Sequence, residues 1–137
     1  MTQPPNDANS RGPVPYILVD RAGEAVEFYK RAFGGVEVNR MDGPRGEVIH
    51  CHMSINGGGL MISDTNMGDA PVPFQPSECF HLQLVFDEGI DAAWQTAVDA
   101  GCEITSPLQL MFWGDRYGSL RDPFGINWAM NCPTRRD

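Results

Sequence analysis

Ile17-Leu18-Val19-Asp20 is the stretch that decides the fold, because it has a close counterpart in Leu84-Val85-Phe86-Asp87. The two stretches are 67 positions apart. Each copy has three apolar residues closed by an aspartate, and each precedes an alanine-rich segment that ends in glycine. Further along, residues 59–63 align with residues 125–129, with the spacing shortened by one. A supersecondary unit repeated in this way predicts a pseudo-symmetric protein built from two similar modules.

The spacing of apolar residues predicts the same order of elements in both copies. Apolar positions three and four apart indicate helices over 22–33 and 90–100, with Asp20 placed to cap the first of them. Alternating segments predict strands at 14–19, 36–40, 47–55, 60–63, 80–86, 117–121 and 126–130, with another near Glu103. The predicted fold class is α+β: two βαβββ modules whose sheets form a shared concave cleft.

The length of 137 residues favours one domain, here predicted over 14–132. Its modules are expected at 14–63 and 80–132, joined by a proline-containing linker at 64–79. Residues 1–13 are rich in Pro, Asn and Asp and are predicted to be a disordered tail, and 133–137 form a second tail.

Charge and composition exclude several classes of partner. The formal net charge of −8 argues against nucleic acid, which is bound mainly through Lys and Arg on phosphates. No run of 18 apolar residues exists to span a membrane, and the N-terminus has no hydrophobic signal core. None of the four cysteines forms a C-x-x-C pair, so we expect reduced thiols in a cytoplasmic protein. They are Cys51, Cys79, Cys102 and Cys132.

Strand alternation assigns polar side chains to one face of each sheet, away from the helices. The apolar set of the third strand, Ile49, Cys51, Met53 and Ile55, is expected to face the first helix, and Phe80 and Leu84 the second. The residues predicted to line the cleft are Tyr16, His50, His52, Ser63, His81, Gln83, Asn127 and Ala129. Such a face suits a ligand pocket, although it could equally be the wet face of an antiparallel sheet.

The string Phe112-Trp113-Gly114-Asp115-Arg116-Tyr117 is the best candidate for a loop that contacts a ligand. Trp113 and Tyr117 could stack on a planar molecule, and Arg116 or Arg121 could pair with an anionic group. The alternative is a small hydrophobic cluster beneath the loop.

Four strings resemble the PhnB-like branch of the vicinal oxygen chelate superfamily, which includes glyoxalase I, bleomycin-resistance proteins and extradiol dioxygenases. They are Pro15-Tyr16-Ile17, Glu27-Phe28-Tyr29-Lys30-Arg31-Ala32-Phe33-Gly34, Leu60-Met61-Ile62-Ser63-Asp64 and Phe112-Trp113-Gly114-Asp115-Arg116-Tyr117-Gly118, followed by Asp122-Pro123-Phe124-Gly125-Ile126-Asn127-Trp128. The resemblance covers residues 14–132 and implies the glyoxalase/bleomycin resistance fold.

The resemblance also implies four metal-ligand positions, which fall here on Val14, Ser63, His81 and Ala129. Only His81 is a metal ligand, whereas a divalent ion needs three or four N, O or S donors. We therefore predict no metal site and no cofactor. A divalent metal held by His50, His52 and His81 stays open as the less favoured alternative.

Two functions remain from the sequence. The first is a small-molecule binding protein that has lost the usual metal site. The second is a glyoxalase- or isomerase-like enzyme in which His81 acts as the catalytic base, with or without His50 and His52. The expected partners are a small-molecule ligand and a second copy of the chain in a homodimer, with no nucleic acid and no membrane.

Overall fold

The computed structural model describes residues 11–66 and 71–134. The chain divides into two compact units, with the boundary between Gln75 and Pro76. Most of the predicted tails, at 1–10 and 135–137, and positions 67–70 of the predicted linker lie outside the described residues.

The first unit is a βαβββ module with one four-stranded sheet. Its elements are β1 (Tyr16–Val19), α1 (Ala22–Phe33), β2 (Val36–Asp42), β3 (Val48–Ile55) and β4 (Gly58–Asp64). The strands lie in the order β1-β4-β3-β2, with β1 parallel to β4 and the other pairs antiparallel.

The second unit repeats this arrangement. Its elements are β5 (Leu82–Val85), α2 (Ile90–Ala100), β6 (Glu103–Leu110), β7 (Asp115–Arg121) and β8 (Asn127–Pro133). The sheet order is β5-β8-β7-β6, and again only the β5–β8 pair is parallel. The predicted α+β class with two βαβββ modules is therefore confirmed.

The core of the first unit lies between α1 and one face of its sheet. Val26 and Tyr29 of α1 are fully buried, as are Cys51 and Met53 of β3 and Ile62 of β4. The predicted apolar stripe of the helix and the inward direction of Cys51 and Met53 are thus confirmed.

Asp64, the last residue of β4, fixes the start of α1. Its Oδ1 accepts a hydrogen bond from the Ala22 amide at 3.1 Å, and its Oδ2 accepts one from the Val48 amide at 2.8 Å. The prediction that Asp20 caps the helix is wrong, because the Asp20 carboxylate accepts from the Thr65 hydroxyl instead. At the other end Gly34 takes the left-handed conformation, with φ 67°, that ends the helix without a Cβ clash.

The predicted inward direction of Ile49 is wrong, and a β-bulge is the reason. Met41 and Asp42 are adjacent in β2, yet they pair with His50 and Val48 of β3, so Ile49 is the extra residue. A bulge shifts the alternation of side chains by one position. Val48 is consequently fully buried, whereas Ile49 is 38% exposed.

In the second unit, α2 covers the sheet face that carries Leu84, Leu120 and Trp128, all of which are buried. Trp128 Nε1 donates to the buried Asp122 carboxylate at 2.9 Å, so the polar edge of this core indole has a partner. Phe80 was expected on the same face, but it precedes β5 and remains 52% exposed.

Candidate functional site

The open face of the first sheet, meaning the face that α1 does not cover, carries the predicted polar residues of this unit. Met61 of β4 pairs with Tyr16 on one side and His52 on the other, and Ser63 pairs with Leu18. His50 lies two residues from His52, on the same face. The strand pairing thus brings Tyr16, His50, His52 and Ser63 to one surface.

A chain of hydrogen bonds connects three of these side chains. Ser63 Oγ donates to the carbonyl oxygen of Ile49 at 2.7 Å, Tyr16 Oη lies 2.5 Å from Ser63 Oγ, and His50 Nδ1 lies 3.1 Å from Tyr16 Oη. The Tyr16 and His50 rings are also tilted against each other, with centroids 5.6 Å apart. We call this series the Tyr16–Ser63–His50 chain.

The two neighbouring residues Ser63 and Asp64 continue the β3–β4 ladder with their side chains. Backbone pairing between these strands begins at Cys51 and Ile62. Beyond that pair, Ser63 donates to the Ile49 carbonyl and Asp64 accepts from the Val48 amide. The polar chain on the open face is therefore anchored in the backbone of the bulged strand.

His52 differs from His50 in its burial. Only 5% of His52 is exposed, and its Nε2 has no hydrogen-bond partner among the described residues. Burial, and to a smaller extent the nearby His50, lowers the pKa of His52 below its ordinary value, so the ring is neutral at neutral pH. A buried polar atom without a partner carries an energetic penalty that a ligand can relieve.

In the second unit, His81 and Gln83 lie together at the start of β5. His81 is exposed, and its Nε2 lies 3.2 Å from Gln83 Oε1. Because the amide oxygen can only accept, Nε2 is the donor in this contact. Gln83 pairs with Ala129 of β8, whose small side chain is fully buried.

The guanidinium of Arg121 is occupied by neighbouring side chains. Its Nη2 donates to Glu78 at 2.7 Å, and its Nε donates to Asn127 Oδ1 at 3.1 Å. Asn127 Nδ2 in turn donates to the Ser77 carbonyl at 3.0 Å. An anionic ligand at Arg121 would therefore have to compete with Glu78.

The aromatic residues of the predicted loop do lie together. The Trp113 ring is 5.0 Å from Phe112 and 5.9 Å from Tyr117, centroid to centroid, in edge-to-face arrangements. Phe112 is 96% exposed and Trp113 42% exposed. The geometry agrees with a solvent-facing aromatic cluster, and contact with a ligand stays a prediction.

Arg116 does not share the face that carries Tyr117 and Arg121. It alternates to the side of α2, where its Nη2 donates to Asp91 at 2.7 Å. The expectation that Arg116 lines the cleft therefore has to be corrected. Its neighbour Tyr117 pairs with Asn131 on the open face of the second sheet, the face that α2 does not cover.

Strand pairing also corrects the correspondence between β4 and β8. Tyr16 pairs with Met61, and Gln83, its counterpart 67 positions on, pairs with Ala129. Met61 is therefore the structural counterpart of Ala129, where the sequence repeat had matched Ser63. A shift of two residues keeps the same face, so only the position along the strand changes.

These donors do not fit the divalent ion that the resemblance implies. Val14 and Ala129 have no donor atoms, Ser63 Oγ already donates to a carbonyl and accepts from Tyr16, and Met61 offers only a weak thioether. Within the described residues of either unit, no three His, Cys, Asp or Glu side chains are grouped closely enough to hold a metal ion.

Sequence reasoning missed two residues of these surfaces. Met61 was overlooked although it lies two residues before Ser63, a spacing that places both on one strand face. Glu78 was assigned to the linker, and no local pattern indicated that it would bind Arg121.

A separate depression of about 410 Å³ lies at the start of α1, outside the predicted site. Its two arginines are already paired, Arg21 with Glu24 at 2.6 Å and Arg45 with Glu47 at 3.1 Å. We therefore do not include it in the candidate site.

Comparison with known proteins settles the family. The sequence pattern of the Glyoxalase/Bleomycin resistance protein/Dioxygenase superfamily matches residues 14–130. This chain belongs to that superfamily. An uncharacterized protein of Mycobacterium bovis is 36% identical, over 88% of this chain and 82% of the relative.

Two solved structures share this fold at low sequence identity. A PhnB protein from Bacillus cereus, described as a putative 3-demethylubiquinone-9 3-methyltransferase, is 20% identical with a TM-score of 0.71, over 89% of this chain and 99% of that one. The fosfomycin resistance protein FosX of Listeria monocytogenes, in complex with Mn(II), is 17% identical with a TM-score of 0.66, over 88% of each chain.

Among the described residues, no helix is long and apolar enough to cross a membrane.

Proposed function

We propose that this member of the glyoxalase/bleomycin resistance superfamily binds a small organic molecule without the help of a metal ion. One observation carries the proposal: the open face of the first sheet presents a polar chain beside the buried His52, whose Nε2 lacks a partner among the described residues. Polar groups on a sheet face that also offers apolar contact area are typical of a ligand site.

The chemistry of the superfamily's metal positions supports binding over metal-dependent catalysis. The corresponding residues supply one imidazole and otherwise aliphatic, thioether or already bonded hydroxyl groups. Three or four donors are needed for tight binding of a divalent ion. The proposal therefore assigns His50 and His52 to ligand contact.

A second candidate function rests on His81. Its contact with Gln83 orients the ring and leaves the Nδ1 lone pair free to act as a general base. In this alternative the protein is an isomerase- or lyase-type enzyme, and His81 performs the proton transfer.

Whether the protein consumes a compound distinguishes the binding protein from the enzyme that uses His81. The protein purified from its native host would be analysed for co-purifying compounds by native mass spectrometry and for metals by elemental analysis. A compound library would then be followed by chromatography after incubation with the protein. Under the binding proposal, a compound is retained stoichiometrically and recovered unchanged, by the wild type and by His81→Ala alike.

Consumption of a compound by the wild type that is lost in His81→Ala would establish the enzyme instead. A stoichiometric metal whose removal abolishes retention of the compound would contradict metal-independent binding. Gln95→Ala, a substitution at an exposed position of α2, serves as the handling control.

The proposal includes a homodimer in a reducing compartment. Leu110, at the end of the edge strand β6, is 67% exposed and Phe112 is 96% exposed, which supports burial of these residues against a second copy. The exposed free thiol of Cys79 supports the cytoplasm. Light scattering on the purified protein tests the dimer, and a monomer at all concentrations would contradict it.

A further inference from the structure

We propose that the open face of the first sheet accepts an uncharged ligand that donates a hydrogen bond from a hydroxyl or N–H group to His50 Nε2, with His52 Nε2 as the second polar contact. This ligand class rests on the binding function proposed above and makes it more specific.

The direction of every proton in the Tyr16–Ser63–His50 chain follows from its last acceptor. The Ile49 carbonyl can only accept, so Ser63 donates its single hydroxyl proton to it. Ser63 Oγ must then accept a hydrogen bond from Tyr16, which donates the only proton of its own hydroxyl. The Tyr16 oxygen is left to accept from His50 Nδ1.

This order of protons fixes the tautomer of His50. A neutral imidazole carries one N–H, and in His50 that proton resides on Nδ1. Its Nε2 therefore presents a lone pair, which accepts a hydrogen bond and cannot donate one. A ligand that meets His50 at Nε2 needs a donor group.

The chemistry of His52 agrees with an uncharged partner. Burial lowers its pKa, so the ring offers no positive charge to an anion. A neutral Nε2 either donates or accepts, depending on the tautomer, and a hydroxyl group can satisfy both cases. The buried Nε2 lacks a partner among the described residues, and a ligand hydroxyl that reaches it would supply one.

On the described strands of the first unit, no ionised side chain lies on the open face to balance a charged ligand. The three charged residues of β2, Glu37, Arg40 and Asp42, pair with residues of β3 whose buried side chains point to α1, and they bond to one another. Asp64 of β4 likewise points away from the open face and bonds to two amides. A charge placed on the open face would lose hydration without gaining an opposite charge from the strands.

Three monosubstituted benzenes test the ligand class: phenol, anisole and benzoate. The first is a neutral donor, the second lacks the donor, and the third is an anion. Titrations at neutral pH would be followed through the imidazole ¹⁵N signals of His50 and His52. We expect phenol to shift both Nε2 signals and to bind roughly ten-fold more tightly than anisole, the worth of one net hydrogen bond.

A variant test accompanies the probe series. His50→Phe keeps a planar ring and removes the acceptor, so phenol affinity should fall by about ten-fold, to the level of anisole. Gln95→Ala is the matched control and should leave both affinities unchanged. Should His50→Phe fail to fold, the comparison of phenol with anisole on the wild type still decides.

Benzoate binding as tightly as phenol, with the same histidine shifts, would overturn the ligand class while leaving a binding protein. Absence of any shift of His50 or His52 with all three probes would overturn the site. Neither result depends on compound turnover. Turnover would contradict the proposed function, so the two proposals fail by different observations.

Discussion

The indole of Trp94 in α2 lies directly against the backbone of Gly118 in β7. A Cβ built on Gly118 would stand 2.6 Å from Trp94 Cη2 and 2.9 Å from the Cα of Leu108, closer than real Cβ atoms come. Trp94 is itself buried, with 7% exposed. Glycine is thus required at position 118 for α2 to pack on its sheet, because no side chain fits between the Gly118 backbone and the Trp94 ring.

Gly118→Ala should destabilise the protein by about 1–3 kcal/mol, because a methyl group forced into a packed core shifts its neighbours. Urea denaturation with tryptophan fluorescence measures the loss. Gly58→Ala is the control, since its Cβ would meet only the Ile55 carbonyl at 3.6 Å. Equal stabilities of the two variants would show that Trp94 can move aside without penalty.

Asp64→Ala should lower the free energy of unfolding by about 2–4 kcal/mol, because it leaves the amides of Ala22 and Val48 without their acceptor. Asp64→Asn retains one oxygen acceptor and should fall between Asp64→Ala and the wild type. Asp99→Ala on α2 removes a single exposed contact with Gln95 and should change stability by less than about 0.5 kcal/mol. A loss no larger than that of Asp99→Ala would contradict the role of Asp64.

The free energy of unfolding should depend on pH through His52. Because burial lowers the pKa of His52 in the folded protein, the unfolded chain binds more protons below the ordinary value of 6.5. The contribution of His52 is therefore fully present above pH 6.5 and is lost as the pH falls toward the folded-state pKa. His52→Gln should have a flatter pH profile than the wild type, measured by urea denaturation at several pH values, whereas Gln95→Ala should keep the wild-type slope.

Ser63→Ala should switch the tautomer of His50. Without Ser63 Oγ, Tyr16 can donate its proton to His50 Nδ1, and the imidazole proton moves to Nε2. The imidazole ¹⁵N shifts distinguish the two tautomers directly. Thr105→Ala removes another strand hydroxyl, one that bonds to Ser119 in the second unit, and should leave His50 unchanged. A wild-type His50 already protonated on Nε2 would refute the proton order.

The thiols should differ in reactivity according to their burial. Burial raises the pKa of Cys51 to about 11 and that of Cys102 to about 12, so neither is a thiolate at neutral pH. A chromogenic disulfide reagent should react with the exposed Cys79 in the native protein and with Cys51 and Cys102 only after unfolding. Fast reaction of Cys51 would indicate that α1 opens readily. The variant Cys79→Ser identifies which phase of the reaction belongs to Cys79, because that phase is lost in the variant.

Sequence periodicity predicted both helices to the residue, because α1 and α2 carry apolar side chains at regular helical spacing and end before glycine. It also placed Tyr16, His50, His52 and Ser63 on one face of the sheet. Alternation failed at Ile49, since an extra residue in one strand leaves no mark on its own composition.

Two errors at the site have a different origin. The correspondence of Ser63 with Ala129 came from similar residues around a glycine, whereas the hydrogen-bonded register matches Met61 with Ala129. Arg116 was expected in a ligand-contacting loop at the cleft, but β7 begins at Asp115 and its alternation turns Arg116 toward α2. Register and strand ends depend on pairing with distant segments, and local sequence does not encode them.

The unpaired Ile49 has a consequence for how this protein can diverge from its relatives. Its carbonyl is the terminal acceptor that orients the Ser63 hydroxyl, and through Tyr16 the imidazole of His50. Deleting Ile49 would remove the extra residue of the bulge together with that acceptor, while His50, His52 and Ser63 would all be retained. A deletion at this position could therefore change which compounds the protein recognises. Substitutions of the histidines alone would not reveal this effect.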